Sequence, residues 1–176
     1  MLKKLSGVKI KAISACVPQD CLGILEYAPN LITAKEVKRF VKGTGFANLR
    51  IAKDAVTTAD LCLSAAKKIF SEQNINKQDI DGLIFVSQTP NWYLPATSHY
   101  LQNKLGLNED VVCFDINEGC SGYIQGLYLA STLITAQQCK NVLVLAGDTI
   151  SKLTDPEDRA TRLIFGDAGT ATVIGS

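Results

Sequence analysis

The stretch V-V-C-F-D-I-N-E-G-C-S-G-Y-I-Q-G-L-Y-L-A-S-T-L-I-T-A-Q-Q-C, from Val111 to Cys139, decides the fold. Residues 111–116 read as a buried strand, and from Gly119 to Cys139 no residue is charged. A run of that length approaches what a membrane span needs. Gln125, Gln137 and Gln138, with the hydroxyls of Ser131, Thr132 and Thr135, argue against lipid. A helix apolar nearly all round belongs at the centre of a soluble fold, covered on every side. A helix so placed in a chain of 176 residues needs more protein on its far side.

Outward from this stretch, short apolar strands alternate with helices. The strands are 7–15, 82–88, 141–147 and 169–175. Thr57 and Asp60 form a capping-box start, followed by Ala59, Cys62, Leu63, Ala66, Ile69 and Phe70 at helical spacing. Lys67 and Lys68 are placed near that helix's C-terminal end, where the dipole favours cations. Thr33 and Glu36 start a shorter helix that should stop near Gly43, and another runs from Thr97 to Leu105 before Gly106. Residues 16–32 hold no period and read as a loop. The alternation predicts an α/β protein with a mostly parallel sheet covered on both faces.

Lys plus Arg is 18 and Asp plus Glu is 17, a net charge of +1. That balance speaks against a nucleic-acid binder and against a polybasic membrane anchor. The six cysteines contain no C-x-x-C pair and the single histidine is His99, so no metal site is expected. The opening M-L-K-K-L-S-G-V-K-I is too short and polar for a signal peptide, and six unpaired thiols then point to a reducing cytoplasm.

Cys120 is the candidate nucleophile. It follows a strand by a short turn and opens the uncharged helix. The positive end of the helix dipole and its unpaired N–H groups favour a thiolate, and the same N–H groups can hold an oxyanion on a thioester carbonyl. Gly119 and Gly122 would let a substrate approach the backbone. The bland reading of a cysteine is an inert core residue, which fits Cys16, Cys62, Cys113 and Cys139. His99 reads as a bystander. K-G-T-G-F (42–46) lacks a third glycine and a preceding strand, so it is a turn and not a dinucleotide fingerprint. F-G-D-A-G-T-A (165–171) lacks a Lys-Ser/Thr end and reads as a tight approach into the last strand.

Two long motifs, D-I-N-E-G-C-S-G-Y (115–123) and D-P-E-D-R-A-T-R-L-I-F-G-D-A-G-T-A (155–171), resemble the N-terminal half of the β-ketoacyl-acyl-carrier-protein synthase III family. T-G-F-A-N-L-R-I (44–51) and Q-T-P-N-W-Y-L-P-A-T-S (88–98) add to the likeness. The resemblance implies a thiolase-like fold, residues 1–176 forming one half of a duplicated architecture, with a five-stranded mixed sheet covered by helices. It implies that Cys120 carries an acyl primer, and that a decarboxylative Claisen condensation with malonyl-carrier protein follows. The histidine and asparagine that promote decarboxylation lie in the family's second half. Coenzyme A and phosphopantetheine thioesters enter as substrates, so no resident cofactor is implied, and the partners are an acyl-carrier protein and a second copy of the chain.

The resemblance also assigns substrate contacts. Arg159 matches an arginine that stacks on adenine. Arg39 and Gly43 replace a tryptophan and an arginine that help hold coenzyme A, which favours a carrier-protein donor. Leu94 replaces a phenylalanine that reaches across the dimer into the acyl pocket, which suggests a primer other than acetyl. Glu118 stands where small apolar residues are usual, and its carboxylate opposes a thiolate unless it points away. The rival reading is a non-catalytic carrier-binding partner of a split enzyme; retention of Cys120 speaks against it.

Overall fold

The computed structural model describes residues 6–176. Residues 1–5, on which the reading of the leader partly rests, lie outside the described residues. Among the described residues seven strands form, β1 (Lys9–Cys16), β2 (Cys21–Gly23), β3 (Asn48–Arg50), β4 (Gly82–Val86), β5 (Val112–Ile116), β6 (Asn141–Asp148) and β7 (Ala168–Gly175). The α-helices are α1 (Ile24–Tyr27), α2 (Ala34–Thr44), α3 (Thr58–Glu72), α4 (Thr97–Leu105), α5 (Gly122–Thr135) and α6 (Arg159–Arg162). Five strands make one sheet in the order β1-β7-β6-β4-β5.

The sheet is mixed. β4 runs parallel to β5 and β6, whereas β7 is antiparallel to both β6 and β1. The alternation of strands and helices overstated the parallel share, because the β6–β7 connection carries no covering helix, only short turns and the four residues of α6. A strand that returns without such a crossover pairs antiparallel.

Burial follows the pleat. On β4, Leu83 and Phe85 face α3 and α4, while Ile84 and Val86 face α5, which is why the strand reads as one apolar run. Thr57 caps α3 as expected, its hydroxyl accepting from Asp60 N at 3.2 Å while Asp60 accepts from Thr57 N at 2.9 Å. Asp115 on β5 reaches across to α4 and accepts from Thr97 N at 2.7 Å and Ser98 N at 2.9 Å, binding an edge strand to the helix that covers it. α4 spans the predicted residues and ends on Gly106 at φ +63°.

Four expectations are corrected. Residues 16–32 are not all loop, since β2 pairs with β3 and α1 follows; both are too short for a period to show. α2 continues through Gly43 to Thr44 and stops at Gly45, which takes the left-handed conformation at φ +82°. The last turn of α3 holds no basic residue, so Lys67 and Lys68 lie one turn short of the end. β5 is an edge strand, with Val112 and Phe114 more than a third exposed, so its apolar run is not buried in this chain.

Candidate active site

The position of Cys120 is set by two glycines of α5. A Cβ on Gly122 would lie 2.7 Å from Val86 Cγ1, and one on Gly126 would lie 3.0 Å from Val86 Cγ2 and 3.2 Å from Val144 Cγ1. Four residues apart, they share the face that Ala130 and Ile134 continue, so the helix beds directly on β4 and β6. Gly122 therefore serves helix–sheet packing and not substrate approach, a correction to the sequence reading. The start of α5 lands over the carboxyl ends of β4 and β6, where ligand crevices form in α/β sheets.

Cys120 precedes the cap residue Ser121, and Gly122 N donates to Gly119 O at 2.8 Å to close the turn. The thiol is exposed and opens on a cleft of about 480 Å³. Val86, Tyr123, Ile150 and Phe165 give it apolar walls, and Gln88 and Glu118 stand beside the cysteine. Glu118 Oε2 accepts from Ser121 Oγ at 3.1 Å, so its carboxylate is turned on the next loop residue.

Gln88 was not read from the sequence. Its Nε2 donates to Asp148 Oδ2 at 3.1 Å, and a Cβ on Gly119 would sit 3.2 Å from its Oε1. Asp148 Oδ1 also accepts from Ser87 Oγ, Gln88 N, Thr89 N and Thr89 Oγ1, at 2.7–3.1 Å. The end of β6 thus clamps the loop after β4 and aims Gln88 at the nucleophile turn. The available signal was position, the first long polar side chain after the β4 run. Asp167 of the F-G-D-A-G segment is 2% exposed and accepts from Ala52 N, Ser151 N and Ser151 Oγ. It anchors the segment that brings Phe165 to the cleft.

The other thiols are placed differently. Burial pushes Cys62 up to about 12 and Cys113 up to about 11, the latter with a contribution from the Asp115 charge; burial also raises Cys139. All six cysteines are free, and the exposed ones are Cys21 and Cys120. Under limiting iodoacetamide we expect Cys120 to label first, with Cys62 and Cys113 last, read by mass spectrometry against a denatured reference. Faster labelling of Cys21 at every pH would contradict an activating role for the start of α5.

The remaining predicted contacts lie away from the cleft. Leu94 is 91% exposed on the loop before α4 and does not line the cavity. Arg39 is exposed on α2, and Arg159 Nη2 donates to Glu36 Oε1 at 2.9 Å, one helical turn from Arg39. Hydrogen bonds from Thr33, then the Arg159 guanidinium, hold the Glu36 carboxyl down to about 2. His99 is exposed on α4 and outside the cleft. Among the described residues no group of three potential ligands could hold a metal, and no helix is long and apolar enough to cross a membrane.

Comparison with known proteins adds the following. The family model for 3-oxoacyl-[acyl-carrier-protein] synthase III matches residues 114–176. A β-ketoacyl-[acyl-carrier-protein] synthase III from Fusobacterium nucleatum is 32% identical over 171 residues, covering 97% of this chain and 51% of its own. One from Bacillus subtilis is 35% identical, again covering 97% and 51%. The crystal structure of a 3-oxoacyl-(acyl-carrier protein) synthase from Burkholderia xenovorans superposes with a TM-score of 0.92 at 42% identity, covering 97% of this chain and 49% of that one. The chain spans about half the length of the curated relatives it matches.

Proposed function

We propose that the chain, similar over nearly its whole length to half of a 3-oxoacyl-acyl-carrier-protein synthase III, is a partial thiolase-fold domain of that kind and the N-terminal, nucleophile-bearing half of a condensing acyltransferase. The observation that carries the reading is Cys120, an exposed thiol opening on an apolar cleft at the start of α5. Its sulfur attacks the carbonyl of an acyl thioester. The donor C–S bond breaks, the donor thiol leaves with the proton, and the acyl group stays on Cys120. Malonyl-carrier protein then loses carbon dioxide, and the enolate carbon attacks the acyl-cysteine to give a 3-ketoacyl product and free the thiolate. Groups outside these residues supply the decarboxylation step. Coenzyme A and phosphopantetheine thioesters are substrates here, delivered in a reducing compartment that suits six free thiols.

Two further features support the assembly proposed. The exposed edge of β5 leaves backbone groups free to pair with a second copy, extending one sheet through a dimer. The near-complete exposure of Leu94 on its loop supports a role for it in the partner's acyl pocket.

The test is acyl loading. Incubated with a short-chain acyl thioester, the chain should gain one acyl mass, mapped by peptide digestion to Cys120 and lost in Cys120→Ala. Acylation spread over Cys21 and other nucleophiles, or surviving in Cys120→Ala, would overturn the reading. A folded chain that binds a carrier protein but is never acylated would be the non-catalytic partner instead.

A further inference from the structure

We infer that Gln88 and Glu118 sort acyl groups at Cys120, admitting those that carry a hydroxyl or an ammonium and turning away those that carry a carboxylate. The inference rests on the reading of this chain as an acyl-thioester acceptor. The two side chains bracket Gly119, the residue before the nucleophile. Gln88 turns its oxygen on that residue: a Cβ on Gly119 would lie 3.2 Å from Oε1, 3.5 Å from Cδ and 3.8 Å from Nε2. Asp148 fixes this orientation. Its Oδ2 takes a hydrogen bond from the amide at 3.1 Å, and a carboxylate only accepts, so the nitrogen faces Asp148 and the oxygen faces the nucleophile turn. Among the described residues nothing donates to Gln88 Oε1. The stem of Glu118 rests on the first turn of α5, its Cβ 3.3 Å from where a Cβ of Gly122 would lie. Glu118 Oε2 accepts from Ser121 Oγ, and among the described residues Oε1 has no partner.

The rest of the lining keeps the same sign. Asp148 is the other acid, and it is saturated, with four donors on Oδ1 and Gln88 on Oδ2. Tyr123 Oη is bonded with Thr172 Oγ1, and Thr170 Oγ1 donates to Ala146 O. Among the described residues no lysine, arginine or histidine lines the cleft, and Val86, Ile150 and Phe165 make its walls apolar. Two unpartnered acceptors in such walls discriminate by what the ligand offers them. A hydroxyl or ammonium on the acyl chain supplies the missing donor. A plain alkyl chain supplies none, and a carboxylate sets like charge beside Glu118. The same two groups would therefore keep a malonyl extender off the thiol that must take the primer.

The experiment is a competition, in which any change in the overall reactivity of the thiol cancels. The N-acetylcysteamine thioesters of 3-aminopropanoic, 3-hydroxybutanoic, butanoic and succinic acids are offered together at equal concentration. All four share one thiol arm, so its amide cannot create a preference. Each loading forms the Sγ–acyl bond, breaks the thioester C–S bond and sends the thiol proton out with N-acetylcysteamine. The acyl groups on Cys120 are counted by peptide mass spectrometry against the same mixture reacted with N-acetylcysteine. Relative to that reference, the amino and hydroxy acyl groups should be enriched over butanoyl, and succinyl depleted, each by roughly 3- to 30-fold. Glu118→Gln should abolish the advantage of ammonium over hydroxyl and bring succinyl back toward the reference. Gln88→Met should reduce the advantage of hydroxyl over alkyl. A second readout needs no acyl transfer. Relative to the unfolded chain, folded Cys120 should disfavour iodoacetate against iodoacetamide, a bias that added salt screens and Glu118→Gln reduces. Loading in the proportions of N-acetylcysteine, or proportions untouched by Glu118→Gln, would overturn the inference and leave the acyltransferase reading intact. Failure of all four thioesters to load, with iodoacetate still disfavoured, would sink that reading instead and leave the charge selection standing.

Discussion

Given an acyl donor and malonyl-carrier protein, these 176 residues alone should load Cys120 and release no 3-ketoacyl product. Condensation needs groups that hold the enolate formed as carbon dioxide leaves. Among the described residues the cleft lining holds no histidine, asparagine, lysine or arginine. Gln88 Nε2 gives one of its two hydrogens to Asp148, Tyr123 Oη is bonded with Thr172 Oγ1 at 3.0 Å, and Thr170 Oγ1 donates to Ala146 O at 2.7 Å. Glu118, the remaining polar side chain beside the cysteine, is a carboxylate and opposes a developing negative charge. His99 stands outside the cleft on α4. Removing one such stabilising donor costs about 10²–10³ in rate, and here a set is missing. The far face of α5 leaves Ile124 63% and Tyr128 57% exposed, which is where a second half would pack. Supplying a histidine- and asparagine-bearing half in trans should therefore raise product formation by several orders of magnitude without changing the loading of Cys120. Turnover by the unaided chain at ordinary enzyme rates would refute this account.

Much of this arrangement was legible in the sequence. Apolar runs marked β4 and β6, and the Thr57–Asp60 and Thr33–Glu36 pairs marked helix starts, because in each case the signal is local: a side chain and a backbone group a few residues apart. The uncharged helix told that α5 needs cover on both sides, and the structure leaves its outer face open. Cys120 was legible by position at a strand–turn–helix junction.

What stayed hidden depends on distant pairs. The direction of β7 is decided by what connects it to β6, and a run of apolar residues reads the same in either direction. The exposure of β5 depends on its being last in the strand order. Gln88 joins the site only because Asp148, 60 residues later, turns it toward the nucleophile loop. Gly122 was read as room for substrate when its neighbour is Val86 across the helix–sheet interface. A glycine announces a close approach, and the fold alone says to what.

Gly169 makes that point measurable. A Cβ there would lie 2.5 Å from Cys62 N and 2.6 Å from Leu61 C, both backbone atoms of α3, so no side-chain rotation could relieve the clash. α3 covers β7, β1 and β6 and buries Ala59, Cys62, Ala65, Ala66 and Ile69. Gly169→Val would have to lift that helix from the sheet. Overpacking of a well-packed core costs about 1–3 kcal/mol, and a clash against backbone belongs at or above the top of that range. For a domain of this size about 3 kcal/mol corresponds to a drop in Tm of roughly 6–12 °C. Gly43 is the control. It lies within α2 and a Cβ there meets nothing within 4 Å, so Gly43→Ala removes only the chain entropy that glycine adds to the unfolded state. That substitution should stabilise by about 0.5–1 kcal/mol. Thermal melts of the two variants should therefore move in opposite directions from the parent. A Gly169→Val protein that melts with the parent would mean that α3 does not rest on β7 as described, and the packing that carries Asp148 and Gln88 to the nucleophile would have to be redrawn with it.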